Sequence, residues 1–345
     1  MPRTVTRRSV LAFTAAAVLA IPAGARGQDL LERSYLLATA TTGGTYYPVG
    51  VALATLTKVK LQPKDKISMS AITSAGSGEN IKLLRENEAQ FAILQGLYGA
   101  WAWAGSGKLA AEGPQKELRS VTMLWQNVEH FVIASEFVKT GNASDLHNLK
   151  GKKFSIGKRN SGTEASGRTI LTGLGIEPDT FFDLVYMGYN PSADALQIGT
   201  ISGMNTPAGP PVPAVTRVAT ALGDKIRVLD FTDEQMAEAN KAAGLDLWTR
   251  YTIPPNTYPG QDIQIETMAQ PNFLAVRDDV ENESVYLITK TIYENLPFLQ
   301  GIHKATKAMS LQKALDGLPF PLHPGAARYY EEAGLTIPDK LKPPG

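Results

Sequence analysis

The sequence has no cysteine, which excludes a disulfide framework, a thiolate nucleophile, a zinc ribbon and an iron–sulfur cluster together. Histidine is nearly as scarce. His130, His147, His303 and His323 are the four present, and none forms a close metal-ligand pair, so neither a metal centre nor another cofactor is expected. An excess of one charge sign is also missing: Lys plus Arg number 34 and Asp plus Glu 33, a formal net charge of +1. A nucleic-acid partner would normally be met by a basic excess or stripe, and none is expected here. Glycine (31) and proline (22) make 53 of 345 residues, too few and too scattered for a fibrous or disordered chain. Beyond the N-terminal region no apolar run approaches the ~20 residues that span a bilayer, so the body is not read as membrane-spanning.

What is present is an ordinary globular balance, 43% hydrophobic and 19% charged, in a chain of 345 residues, a length that favours about two domains. At the N-terminus, Arg3, Arg7 and Arg8 precede an apolar run from Val10 to Ile21, followed by Ala23-Gly24-Ala25. A basic region, a short apolar region and small residues in that order are the layout of a secretory signal peptide. Residues 1–27 are assigned to it, with cleavage after Ala25 or Gly27 and export to the periplasm. Thr6-Arg7-Arg8-Ser9-Val10-Leu11 also has a twin-arginine look.

The body alternates short β-branched runs with helical patterns, as parallel α/β sheets require. Strands are expected at 36–40, 67–72, 91–94 and 118–125, then at 153–156, 184–187, 201–204 and 226–231, with a resumption at 273–276. Helices are expected after the Gly43–Pro48 turn, with Val49, Leu53 and Leu56 along one face, at 79–88, 164–174 and 212–222, and three near the C-terminus at 284–296, 303–315 and 324–333. Between Thr252 and Pro271 the pattern lapses into a proline-rich connection. The rhythm is that of one block, a second block, and a return that completes the first.

In such sheets ligands bind where loops leave the carboxyl ends of strands and enter helices. Four loops of small and polar residues fit that position: Thr41–Thr45, Thr73–Gly78, Asn160–Thr163 and Asn205–Pro211. A helix start offers unpaired N–H groups and a partial positive charge, glycine allows close approach, and Ser or Thr adds donors. Together these bind a carboxylate or phosphate without a Lys or Arg. The candidate ligand-binding residues are therefore Gly44, Thr45, Ser74, Gly76, Ser77, Ser161, Gly162, Thr163, Asn205 and Pro207 from the loops, with Tyr46 and Tyr47 as apolar wall. Tyr98 and Trp101 could wall the same cleft, although core packing accounts better for Trp101 and Trp103. Gln95, at a strand end, fits either a ligand donor or a buried amide serving loop backbone. Ser77, Thr45 and Ser161 could equally be plain N-caps.

No catalytic residue is assigned. No serine stands in G-x-S-x-G and no P-loop is present. Ser155-Ile156-Gly157-Lys158 and Lys139-Thr140-Gly141 match two motifs of penicillin-recognising serine enzymes, but in the wrong order and without the third. Glu164 and Arg168, four apart, read as a surface pair.

Several segments resemble one family. Gly43-Gly44-Thr45-Tyr46-Tyr47-Pro48-Val49-Gly50 is similar to the opening motif of the TAXI solute receptors, binding subunits of a branch of the tripartite ATP-independent periplasmic (TRAP) transporters. Ser74–Asn80, Glu86–Gln95, Ser161–Glu164 and Thr257–Asp262 match further family segments in order and approximate spacing. The resemblance covers nearly all of the mature chain. It implies a two-lobed α/β periplasmic-binding-protein fold, type II-like, each lobe a mostly parallel sheet flanked by helices, with the ligand cleft between. Residues 30–133 plus 268–345 would form lobe I, and 134–267 lobe II. It also implies a non-enzymatic receptor that closes on a small carboxylate, glutamate- or 2-oxoglutarate-like or another acid, and delivers it to a TRAP permease. Two departures touch the pocket: Gly96-Leu97-Tyr98 where the family commonly has Ser-Asp, and Gly78 where Val is usual. A receptor that signals to a membrane sensor, and an exported serine enzyme using Ser155 or Ser161, remain as alternatives.

Overall fold

The computed structural model describes Met1 and residues 31–344. The stretch read as a signal peptide, Met1 apart, lies outside the described residues. The described residues run first through β1 (Arg33–Ala38), α1 (Tyr46–Asp65), β2 (Ile67–Ile72), α2 (Ser77–Arg85), β3 (Phe91–Gln95), α3 (Gly96–Ala104) and the long β4 (Leu118–Val128). A second run follows: β5 (Phe131–Ala134), β6 (Lys153–Ser155), α4 (Gly162–Gly173), α5 (Pro178–Phe181), β7 (Asp183–Val185), α6 (Tyr189–Gln197), β8 (Gly203–Asn205), α7 (Pro213–Leu222), β9 (Ile226–Val228) and α8 (Asp233–Ala243). The return comprises β10 (Thr249–Ile253), β11 (Ile265–Arg277), α9 (Asn282–Glu294), α10 (Leu296–Ile302) and α11 (Pro324–Glu332).

Two sheets result, each flanked by helices. The first runs β10-β11-β3-β1-β2 with β4 also on β11, and the second runs β7-β6-β8-β5-β9. Each has a parallel trio, β2-β1-β3 and β7-β6-β8. Strands antiparallel to the trios complete each sheet: β11 on β3 and β4 in the first, β5 on β8 and β9 in the second. This is the expected two-lobed α/β architecture. All five residues of β3 are buried, so Phe91-Ala92-Ile93-Leu94 reads as a continuous apolar run rather than an alternation, as a strand covered on both faces must. On the second sheet Phe231, Phe131, Phe154 and Phe182 pack in series at centroid distances of 4.9–6.1 Å, the first pair edge to face and the others stacked. Burying each such ring contributes about 1.5–3 kcal/mol.

Local sequence explains the helix limits near the site. Thr232 and Gln235 form a reciprocal capping box on α8, and Pro213 supplies the preset first turn of α7. The chain passes from the first sheet to the second through only Glu129 and His130, between β4 and β5. There the Glu129 N–H donates to Met268 O at 2.9 Å and the Thr206 N–H to His130 O at 2.9 Å.

β5, α3, α6 and α8 are not among the expected elements, and two expected stretches take another form. The lapse expected over 252–271 is sheet at its two ends, because Thr249–Ile253 pairs with Ile265–Ala269 in an antiparallel hairpin, and loop over 254–264. That loop is rich in proline, which cannot donate to a ladder. The helix expected over 303–315 is instead two short 3-10 turns, Lys304–Ala308 and Leu311–Lys313, separated by Met309 and Ser310 in extended conformation.

Candidate functional site

Five helices begin around one small cavity between the sheets. From α1 come Gly44, Thr45 and Tyr46; from α2, Gly76 and Ser77; from the start of α3, Gln95; from α4, Ser161, Gly162 and Thr163; and from α6, Tyr189. Ala40, Thr41, Ala75, Asn127, Pro207 and Ala208 complete the wall of a cavity of about 40 Å³. No charged side chain and no histidine lines it. Its positive character comes from the unpaired N–H groups and dipoles of the helix starts.

The cavity is held shut by direct bonds from the first sheet's loops to the second's. Thr45 Oγ1 donates to Gly209 O at 2.9 Å and Gln95 Nε2 to Gly162 O at 3.0 Å. The Glu79 N–H donates to Asn160 O at 3.0 Å and the Ala214 N–H to Gly43 O at 3.3 Å. Lys108 meets Glu164 at 3.2 Å on the outer rim. Glycine is required where these loops touch. A Cβ on Gly162 would lie 2.6 Å from the Gln95 amide, and one on Gly43 2.6 Å from Asn190 Oδ1.

Ten of the thirteen predicted residues line the cavity: Gly44, Thr45, Tyr46, Gly76, Ser77, Gln95, Ser161, Gly162, Thr163 and Pro207. The structure places the other three elsewhere. Tyr47 turns outward with Pro48 and Val51 toward Phe298 and Ile302, because successive helical residues point to different faces. Ser74 is consumed inside its own loop, its Oγ bonding Thr39 O and Asn80 Oδ1 and accepting the Gly76 N–H. Asn205 lies behind α4 and donates to Thr163 O at 3.2 Å.

The choice between cap and ligand group divides by residue. Ser161 is the cap of α4, accepting the Glu164 N–H at 3.0 Å. Thr45 makes no side-chain cap bond, and Ser77 Oγ accepts the Gln95 N–H at 3.1 Å. The Gln95 side chain serves backbone, and does so from one lobe to the other. Tyr98 and Trp101 pack edge to face at 5.5 Å outside the cavity wall, and Trp103 stacks on Phe320. Neither candidate nucleophile meets a histidine or lysine: Ser155 Oγ pairs with Ser192 Oγ at 2.7 Å. The Lys139-Thr140-Gly141 N–H groups wrap the Asp145 carboxylate. Arg168 joins Glu164, but not as the expected surface pair, since Glu164 is buried at the start of α4; Arg168 also grips Asp179.

A scan of family models matches the NMT1-like family over residues 37–334. The chain belongs to the NMT1-like family. Among solved structures, this NMT1-like chain is similar to the periplasmic binding protein BugD at 14% identity, covering 88% of this chain and 95% of that one, with a TM-score of 0.51. A protein from Bordetella bronchiseptica RB50 matches at 13% identity over 90% and 85% with a TM-score of 0.51. A structure described as a periplasmic transporter matches at 13% over 88% and 93% with a TM-score of 0.50. These likenesses are of fold.

Two polar wall residues of this NMT1-like protein lie outside the four expected loops and escaped sequence reading. Asn127 is the next-to-last residue of β4, which no helix follows, and Tyr189 is the first residue of α6, within Gly188-Tyr189-Asn190-Pro191. Tyr189 hydroxyl donates to Pro207 O at 2.5 Å and so accepts from Thr163 Oγ1 at 2.8 Å; burial pushes its phenol well above the ordinary range. The Gly-Tyr-Asn-Pro helix start was a usable signal for it. The two departures from the TAXI pattern also meet in space: a Cβ on Gly78 would lie 2.7 Å from Tyr98 Oη, so glycine at 78 makes room for tyrosine at 98.

Below the cavity, burial raises the Glu129 carboxyl to about 8, against the Trp248 indole N–H that donates to it at 3.0 Å. Burial lowers His130 to about 4. As a neutral ring it donates from Nδ1 to Val128 O and accepts the Tyr258 hydroxyl at Nε2, 2.7 Å away.

Proposed function

We propose that this NMT1-like protein is a periplasmic receptor of the TAXI type that closes its two lobes on a small organic anion and presents it to a TRAP-type permease. One observation carries this reading: helix starts from both lobes converge on a closed cavity without a charged side chain. Such a site attracts an anion through backbone groups alone. In this reading the lobes are built on the two sheets, with β10 and β11 in the first and β5 in the second, and they rotate about the two chain crossings between them, Glu129–His130 and the segment between α8 and β10. In the open form the ligand docks on Gly44, Thr45, Gly76 and Ser77; closure adds Ser161, Gly162 and Thr163. Contacts made only when closed shift the population toward that form, which the permease recognises.

The test is calorimetric titration of the mature protein with a panel of mono- and dicarboxylates, with thermal melts alongside. Saturable binding of at least one carboxylate with a raised Tm is expected. A flat response to the whole panel would defeat the organic-anion reading.

A further inference from the structure

The direction of one hydrogen-bond chain at the cavity is set by the backbone. Gly162 O can only accept, so the Gln95 amide must turn its Nε2 toward it, at 3.0 Å. Gln95 Oε1 is thereby left to face Asn127, and the Asn127 amide must turn its Nδ2 to it, at 3.2 Å. Asn127 Oδ1 is the end of the chain, and it has no hydrogen-bond partner. Asn127 is 2% exposed and lines the cavity. A buried acceptor left unpaired is costly, and four of the lining hydroxyls are committed elsewhere: Thr45 donates to Gly209 O, Tyr46 to Asn272 Oδ1, Tyr189 to Pro207 O and Thr163 to Tyr189. By contrast, Ser161 receives the Glu164 N–H and keeps its own proton free.

The cavity therefore offers one ligand two different things. Helix-start N–H groups and the Ser161 hydroxyl suit an anionic group, and Asn127 Oδ1 suits a donor. Nothing lining it supplies a cation for a second negative charge, or a carboxylate for an ammonium. With about 40 Å³ of water-accessible space, the cavity suits a compact ligand.

We propose that the ligand is a short hydroxy-monocarboxylate, its carboxylate against the helix starts of α1, α2 and α4 and its hydroxyl donating to Asn127 Oδ1. This rests on the anion-receptor reading above and narrows it. The site discriminates by the group beside the carboxylate: an isostere lacking the hydroxyl leaves Asn127 Oδ1 buried and unpaired, and a diacid brings an uncompensated charge.

Three probes share one carbon skeleton and differ only there: lactate, propionate and alanine. Titrated into the full mature protein beside succinate, lactate is expected to bind at least tenfold more tightly than each of the other three. The Asn127→Ala variant is expected to bring lactate and propionate within about twofold of each other. Propionate, alanine or succinate binding as well as lactate to the wild-type protein overturns the proposal while leaving the anion-receptor reading standing. Failure of every probe, and of the wider carboxylate panel, overturns both. The wild-type comparison decides by itself if the variant does not fold.

Discussion

Replacing Gly162 by alanine separates closure from folding. Gly162 is the first residue of α4, and the Cβ added there would lie 2.6 Å from both Cδ and Oε1 of Gln95, closer than any real contact. Those atoms belong to the opposite lobe, so the clash exists only when the cleft is shut. Relief requires Gln95 to move. That sacrifices its bond to Gly162 O, worth about 0.5–1.5 kcal/mol net, and disturbs a residue only 1% exposed, for which overpacking costs about 1–3 kcal/mol. The closed form should lose about 2–4 kcal/mol, which weakens ligand binding roughly thirty- to several-hundred-fold. The open form should not suffer, since alanine is the better helix former by up to about 1 kcal/mol. Calorimetric titration with the tightest carboxylate measures the first effect, and denaturant unfolding without ligand the second. Wild-type affinity in Gly162→Ala, or an affinity loss matched by an equal loss of ligand-free stability, would refute the reasoning.

Other substitutions follow from the same contacts. Thr45→Ala removes the bond to Gly209 O and should weaken binding about two- to tenfold with little change in Tm, measured by titration; unchanged affinity would show that this bond does not support closure. Thr163→Ala, which frees the Tyr189 hydroxyl of its donor, should do the same. Glu129 keeps its proton to about pH 8 when folded but releases it near 4.5 when unfolded. The folded state then holds more protons over that range, and stability should fall as pH rises through it. His130, lowered to about 4 from 6.5, opposes this below pH 6.5, so the fall should be plainest between pH 6.5 and 8. Glu129→Gln should flatten it in unfolding curves taken across that window. Lys108→Met removes a rim ion pair whose lysine side chain is 37% exposed; it should cost well under 1 kcal/mol and vanish in high salt.

The loops of the site were legible because their chemistry is local. Gly43-Gly44-Thr45 and Ser161-Gly162-Thr163 sit between a strand and a helix, and small polar residues there announce a helix start whatever the rest of the chain does. Partnership across the cleft was not legible. Gln95 could be placed at a strand end but not opposite Gly162, since their meeting depends on how two sheets close rather than on any spacing in sequence. Asn127 carries no local signal, being one polar residue near the end of an eleven-residue strand. Helix α3 was hidden by its composition, Gly-Leu-Tyr-Gly-Ala-Trp-Ala-Trp-Ala, whose glycines and aromatics are weak helix formers that tertiary packing overrides. Ser74 was misplaced for the converse reason: its type suits a ligand, but Asn80, six residues on, claims it first.

Because the chain has no cysteine, two can be introduced and labelled without interference. Val59 on α1 and Ile198 just after α6 are 63% and 74% exposed and stand on opposite lobes. Single-molecule energy transfer between dyes at Val59→Cys and Ile198→Cys, with lactate and then the carboxylate panel, tests lobe closure on a small anion directly. The account predicts that a saturating ligand collapses the distance distribution onto one short, closed population. A distribution unmoved by every carboxylate would contradict it.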